Sequence, residues 1–292
     1  MLNRLSRMSS MLARDGFALV CAILLIVIIG FALVGPFFLS DHATKMQLTM
    51  RNASPGFDGG WLYIFGGDAL GRSVLARVIV GARNTLMIAA AAVAISAIVG
   101  TLLGMISGYR GGSVDNIIMR LADIILSFPA LLLALIIIYL LGPSGFNIII
   151  VLAIAGIPIY LRTARAQVLE VRERLYVSAA RSMGLSPWRI VVSHVLPALL
   201  PTTLTLATLE FSNVVLTESA LSFLGLGIQP PDFTWGAMVA AGRSYLSSAW
   251  WISFWPGFFI MLTTLSLNVL SSWVRTAMDS QQSWRLETSV TS

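Results

Sequence analysis

Residues 124–161 read IILSFPALLLALIIIYLLGPSGFNIIIVLAIAGIPIYL and contain no Asp, Glu, Lys or Arg. A run of this length is too long for one buried helix of a soluble protein. It is long enough for two helices of the ~20 residues that cross a bilayer. The turn Gly142-Pro143-Ser144-Gly145 divides it. The same absence of charge recurs over 16–40, 84–109 and 244–274.

Composition agrees. The 292 residues are 57% hydrophobic and 11% charged, with a mean hydropathy of +0.85. Soluble domains carry roughly 25% charged residues. The pattern predicts an all-α, polytopic membrane protein with six transmembrane helices, at about 17–34, 86–107, 118–141, 148–161, 199–221 and 251–274. Gly35-Pro36 is expected to close the first. Arg4, Arg7 and Arg14 precede it, but the apolar run exceeds the 7–15 residues of a signal-peptide core. It reads as an uncleaved span.

Basic residues set the orientation. With the N-terminus in the cytoplasm, the inner segments hold thirteen of the 19 Lys and Arg, and the outer ones hold Lys45, Arg51, Arg72, Arg77, Arg83 and Arg243. Lys and Arg collect on cytoplasmic loops, so both tails are expected inside. The chain then divides into a cytoplasmic tail 1–16, a first span 17–36, an outward segment 37–85, a transmembrane core 86–275 and a second tail 276–292. Trp235, Trp250, Trp251, Trp255 and Tyr245 are expected at the outer interface. The net charge of +6 follows from topology, and no basic-aromatic face for nucleic acid is present. Cys21 is alone in an apolar run and fills packing space.

Within the core, Gly100, Gly104 and Gly108 form a smooth strip at four-residue spacing, where a second helix can approach. Glu210 and Glu218 fall in the fifth span or at its outer end. Carboxylates there are costly and face a cavity or a partner. Glu210 is a candidate for a translocation path and equally for a structural hydrogen bond. For Glu218 the structural role is favoured over the path. Asp123 lies three residues after Arg120, at helical pairing distance. No HExxH, GxSxG or GxxxxGK[ST] occurs. His42 and His194 fall on opposite sides, so no metal site and no catalytic centre are expected.

The longest inner loop, 162–197, contains YVSAARSMGLSPWRIVVSHVLP (176–197). Val168, Val171, Leu175, Ala179 and Met183 repeat every three to four residues, one helical stripe from Ala164 to Met183. Gly184 is a helix stop. Ser186 reads as an N-cap with Pro187 at the first helical position, and Pro197 and Pro201 are expected to disturb the second helix. The small Ala179, Ala180 and Gly184 at the bend suit a docking surface better than a lipid-facing helix.

This loop resembles the EAA loop of ABC importer permeases, with Ser178-Ala179-Ala180-Arg181-Ser182-Met183-Gly184 on the E-A-A-x-x-x-G pattern and Ser178 in the place of Glu. FGGDALGRSVLARVIVGARNTL (65–86) and ESALSFLGLGIQPPDFTWGAMV (218–239) resemble two signatures of the dipeptide, oligopeptide and nickel group. Together they are similar to a C-type permease subunit of peptide importers.

The resemblance implies a type I ABC importer transmembrane domain in a bacterial inner membrane. It also implies a second homologous permease, two cytoplasmic ATPase subunits and an extracytoplasmic solute-binding protein. ATP and Mg would be used by the partners, and this chain would bind no cofactor. Val177, Leu185, Ser186 and Pro187 complete the stretch 177–187 that would couple to the ATPase. A secondary transporter driven by an ion gradient is the competing reading. That class shows inverted repeats and broken helices, and neither is clear in the sequence.

Overall fold

The computed structural model describes residues 11–12, 15–57 and 59–278; Arg4, Arg7, Arg14, Arg285 and most of both tails lie outside these. The chain is helical throughout, with one isolated β-bridge, Gly67 to Ser73, among the described residues. Its elements are α1 (Gly16–Thr44), α2 (Val74–Arg110), α3 (Gly112–Ser127), α4 (Ala130–Leu141), α5 (Gly145–Val171), α6 (Leu175–Ser182), α7 (Pro187–Ile190), α8 (Leu196–Phe223), α9 (Trp235–Gly242) and α10 (Trp251–Met278). Five helical runs among the described residues are long and apolar enough to cross a membrane, or six if the bent pair α3–α4 counts as one span.

Caps fix several starts. Ala18 N–H donates to Asp15 Oδ1 ahead of α1, Ala76 N–H to Ser73 Oγ ahead of α2, and Asn147 N–H to Ser144 Oγ ahead of α5. Each satisfies an amide that has no partner inside its helix.

Four sequence expectations are corrected. First, α1 does not close at Gly35-Pro36 but continues to Thr44. A helix in lipid has no water to replace broken backbone bonds, and local groups absorb a proline. Second, the second span starts at Val74, so the last part of segment 37–85 is helix. Third, the span expected over 118–141 is two helices at 90°. Pro129 has no N–H and holds Phe128 in extended backbone, φ −95° and ψ 135°. Fourth, α9 was not anticipated. It carries Trp235, which is fully buried instead of lying at the lipid interface.

The core of the described residues is four clusters, a small one joining Met11 and Ala18 at the start of α1 to Trp273 near the end of α10, and three larger ones stacked along the helices. The tail-side cluster, at the end where α1 begins and α10 finishes, gathers Met105, Ala164, Val168, Val177, Ile190 and Leu199. The middle one holds Ile88, Ala92, Ile138, Ile148 and Val215. The far-side one holds Ala32, Val74, Val78, Phe233, Trp235 and Trp251. Lipid-facing Ile and Leu stay exposed along α1 and α4, as expected where the solvent is hydrocarbon.

Candidate functional site

On the tail side, α5 extends ten residues past the expected end at Leu161, to Val171. The stripe expected from Ala164 to Met183 is therefore not one helix. It breaks at 172–174, and α6 restarts at Leu175. Arg172 Nη1 donates to the Gly108 carbonyl at 3.0 Å, which pins the corner to the end of α2. The i,i+4 pair Glu170–Arg174, at 2.7 Å, spans the same corner.

α6 ends in a Schellman motif. Leu185 N–H donates to Ala180 O at 3.2 Å and Gly184 N–H to Arg181 O at 3.0 Å. Gly184 has φ +80°, a left-handed conformation that glycine adopts without steric cost. Pro187 takes the first helical position of α7. Ser186 occupies the N-cap position, but its side chain makes no capping bond. Pro197 and Pro201 do not end the second helix. A π turn, Val191–Val195, precedes Pro197, and the helical run Pro187–Phe223 continues through both prolines.

The loop thus has two faces. Val177, Ala180 and Ile190 are buried in the tail-side cluster, with Leu185 packed beside them. Ser178, Ala179, Arg181, Ser182, Met183, Gly184, Ser186 and Pro187 are exposed. Leu175, Met183 and Trp188 project at 88%, 73% and 76% exposure. An anchored segment with an uncovered apolar and basic face can hold a shape and receive a partner.

The glycine strip lies on α5. A Cβ on Gly100 would meet Ile157 O at 2.7 Å, on Gly104 Leu161 O at 2.5 Å, and on Gly108 Val168 Cβ at 2.9 Å. Below about 3 Å no carbon fits without displacement of the backbone, so the two helices touch because these side chains are absent. Two ion pairs strap α3 to the same α5. Arg165 grips Asp115 through two 2.6 Å bonds, and Arg162 meets Asp123 at 2.6 Å. Asp123 therefore pairs across to α5 instead of with Arg120 on its own helix.

Glu210 and Glu218 lie on α8 and part ways. Glu210 is half-buried and accepts from Asn213 Nδ2 at 3.1 Å. Asn213 and Thr217 share its helical face at a three-to-four residue spacing, and Thr203 lies two turns before it on the same face. Glu218 is fully buried. Ser222 Oγ donates to its Oε1 at 2.6 Å, and Thr234 Oγ1 donates to Ser222 Oγ at 3.2 Å. Thr234 caps α9. Glu218 is thus part of the joint between α8 and α9. The joint is tied to α2: Trp235 Nε1 donates to Val78 O at 2.8 Å, Trp235 N–H to Thr85 Oγ1 at 3.1 Å, and Asn84 Nδ2 to Phe233 O at 2.9 Å.

Residues 100–283 match the family described as "Binding-protein-dependent transport system inner membrane component". The chain belongs to this family. Among curated relatives it is 37% identical to the "Probable D,D-dipeptide transport system permease protein DdpC" of Escherichia coli, over 92% of this chain and 89% of that protein. It is 40% identical to the "Di/tripeptide transport system permease protein DppC" of Pseudomonas aeruginosa, over 84% and 80%. It is 36% identical to the "Glutathione transport system permease protein GsiD" of Pectobacterium atrosepticum, over 75% and 72%. Its fold resembles a chain of the inward-facing MetNI methionine ABC transporter, with TM-score 0.56 and 18% identity, covering 69% of this chain and 96% of that one.

The permease is thus a multi-pass, non-catalytic component of an inner membrane. Sequence reading left one cluster of this permease unassembled. Asp68 accepts from Leu70 N–H, Arg72 N–H and Arg72 Nε at 2.7–2.9 Å, and Arg77 Nε lies 3.6 Å away. The Arg77 guanidinium, nearly buried, sits 4.1 Å from the centre of the Phe233 ring, a cation–π contact. Asp68, Arg72 and Arg77 belong to one of the quoted signatures and Phe233 to another. Their separation in the chain hid the contact. Tyr63, nearby, donates to Gly71 O at 2.8 Å, and burial together with Asp68 raises its phenol above the ordinary range.

Proposed function

We propose that this permease is one of two homologous membrane subunits of an ATP-driven importer for di- or oligopeptides. Both tails and the α6–α7 loop face the cytoplasm, and two ATPase subunits dock on the loop. ATP and Mg act in those partners. A solute-binding protein delivers substrate to the far side, and α8 lines the path with the stripe containing Glu210.

The observation that carries this reading is the two-faced loop. Its buried stripe (Val177, Ala180, Ile190) fixes it to the core, and its exposed face (Ser178, Ala179, Met183, Trp188) is left for a partner. Coupling by rigid-body motion needs both properties. The path assignment rests on burial. Only 17% of the most apolar window of Pro187–Phe223 is covered within the chain, against 33% and 39% for α1 and α2. A sparsely covered span with polar residues such as Glu210 and Asn213 along it is suited to a second subunit and an aqueous route.

The test is peptide uptake by the complete system in vesicles with ATP held constant while proton and sodium gradients are collapsed. Uptake should persist. An immediate stop would replace this reading with an ion-coupled carrier. A purely structural role predicts that Gly184→Asp leaves transport intact, whereas coupling predicts its loss.

A further inference from the structure

A cavity of about 580 Å³ lies on the far side beside the Asp68 cluster. Its size falls within the ~300–1,000 Å³ of small-ligand sites. One wall is the loop after α8, including Gln229 and Asp232. A second is α9, which presents Ala237, Ala240 and Ala241. Three alanines on one helical face keep the space open. The third wall carries Arg72 and Arg77.

The charge of that wall is uneven. Two guanidinium groups share the single carboxylate of Asp68, which leaves about one positive charge uncompensated. Arg77 is occupied, with Asp68, the Ala43 carbonyl at 3.4 Å and the Phe233 ring around it. Arg72 is different. Its side chain is 23% exposed and is bonded only through Nε among the described residues. Its two terminal nitrogens remain as a planar pair of donors, a geometry suited to a carboxylate.

We propose that this cavity is a transit site for short peptides, in which Arg72 receives the terminal carboxylate. This rests on the peptide-import reading and adds to it a subsite within the permease itself. A terminal carboxylate is common to every unmodified peptide, so such a site accepts many sequences while rejecting neutral solutes. Asp232, on the opposite loop, supplies a negative group for the ammonium end. Arg72 can be replaced without stranding Asp68, because the carboxylate keeps the backbone amides of Leu70 and Arg72 and its neighbour Arg77.

The test uses the assembled permease–ATPase complex in nanodiscs without binding protein. Binding of Ala-Ala and of its C-terminal amide is measured by calorimetry. The free acid should bind at least roughly tenfold tighter, the scale of one charge-assisted bond. Arg72→Gln should erase that difference, and Arg72→Lys should restore part of it. Ala241→Leu, which fills the cavity, should weaken both ligands. Equal binding of acid and amide overturns the proposal, as does no binding by a complex that still imports Ala-Ala once binding protein is added. If Arg72→Gln instead weakens only docking of the binding protein, the cavity serves that protein and the proposal also fails. Absence of ATP-dependent peptide uptake by the intact wild-type system would overturn the import reading itself, a separate result.

Discussion

Replacing Gly184 isolates the geometry of the loop from its contacts. Nothing lies within 4 Å of a Cβ built on Gly184, so alanine there meets no steric clash. Its cost is the left-handed backbone at φ +80°, roughly 1–2 kcal/mol for an ordinary L-residue. Asparagine tolerates this region better and should lose about half as much. The strain is relieved if the turn unwinds. That breaks the bonds from Gly184 and Leu185 to Arg181 and Ala180 and lifts Leu185 off the tail-side cluster. A penalty of about 1.4 kcal/mol shifts such an equilibrium tenfold.

The assay is ATP hydrolysis by the reconstituted complex, with and without loaded binding protein, beside the unfolding temperature of the permease. Stimulation should fall in the order glycine, asparagine, alanine. The unfolding temperature should move little, because the turn is exposed and separable from the helix bundle. Wild-type stimulation in both variants would refute the argument that turn geometry transmits coupling. Equal loss in alanine and asparagine would refute its conformational origin.

Three further outcomes follow from the packing. Gly104→Val places a Cβ only 2.5 Å from Leu161 O and 2.7 Å from Ala164 Cβ; forcing α2 from α5 should cost ~1–3 kcal/mol and lower the unfolding temperature in detergent. Gly30→Val, with nothing within 4 Å, is the control and should leave it unchanged. Trp235→Phe keeps most of the ring volume but removes the 2.8 Å bond to Val78 O, so chemical denaturation should report a loss near 1 kcal/mol. Asp115→Asn breaks a two-bond grip on Arg165 with side chains 15% and 29% exposed and should destabilise more than Asp123→Asn. The Asp123 pair is 57% and 50% exposed, which holds its worth below about 1 kcal/mol; a double-mutant cycle measures each.

The spans were legible because lipid demands long apolar runs, and residues 124–161 have no other use. Gly184 and Pro187 were legible because each acts on its own backbone. What escaped depends on contacts between distant segments. Pro129 was visible, but a proline can be absorbed, as Pro36 is, or can break the helix, and tertiary packing decides which. Pro36 lies where Gly35 is pressed against Ile79, with a Cβ-to-Cγ2 distance of only 2.2 Å if a side chain were added, so α1 runs on through Pro36 packed closely against α2. Phe128-Pro129 has exposed residues on both sides. Trp235 resembled an interfacial tryptophan until Val78, on another helix, supplied its hydrogen-bond acceptor.

The loop and the far-side cavity are ends of one object. The helical run Pro187–Phe223 has 37 residues, about 55 Å at 1.5 Å per residue. Its lower end carries Ile190 in the tail-side cluster, and its upper end carries Ser222 in the cavity wall. The upper joint resists separation for an electrostatic reason. Glu218 is fully buried, and its Oε2 has no hydrogen bond among the described residues. Drawing α9 away would also remove Thr234 from Ser222 and loosen the one bond that Oε1 has. Leaving a buried carboxyl group with fewer polar partners is costly, which favours movement of the two helices together. α9 is bonded in turn to α2 through Thr85 and Val78. A displacement of the loop therefore reaches the cavity as movement of α8, α9 and the upper part of α2 as one body.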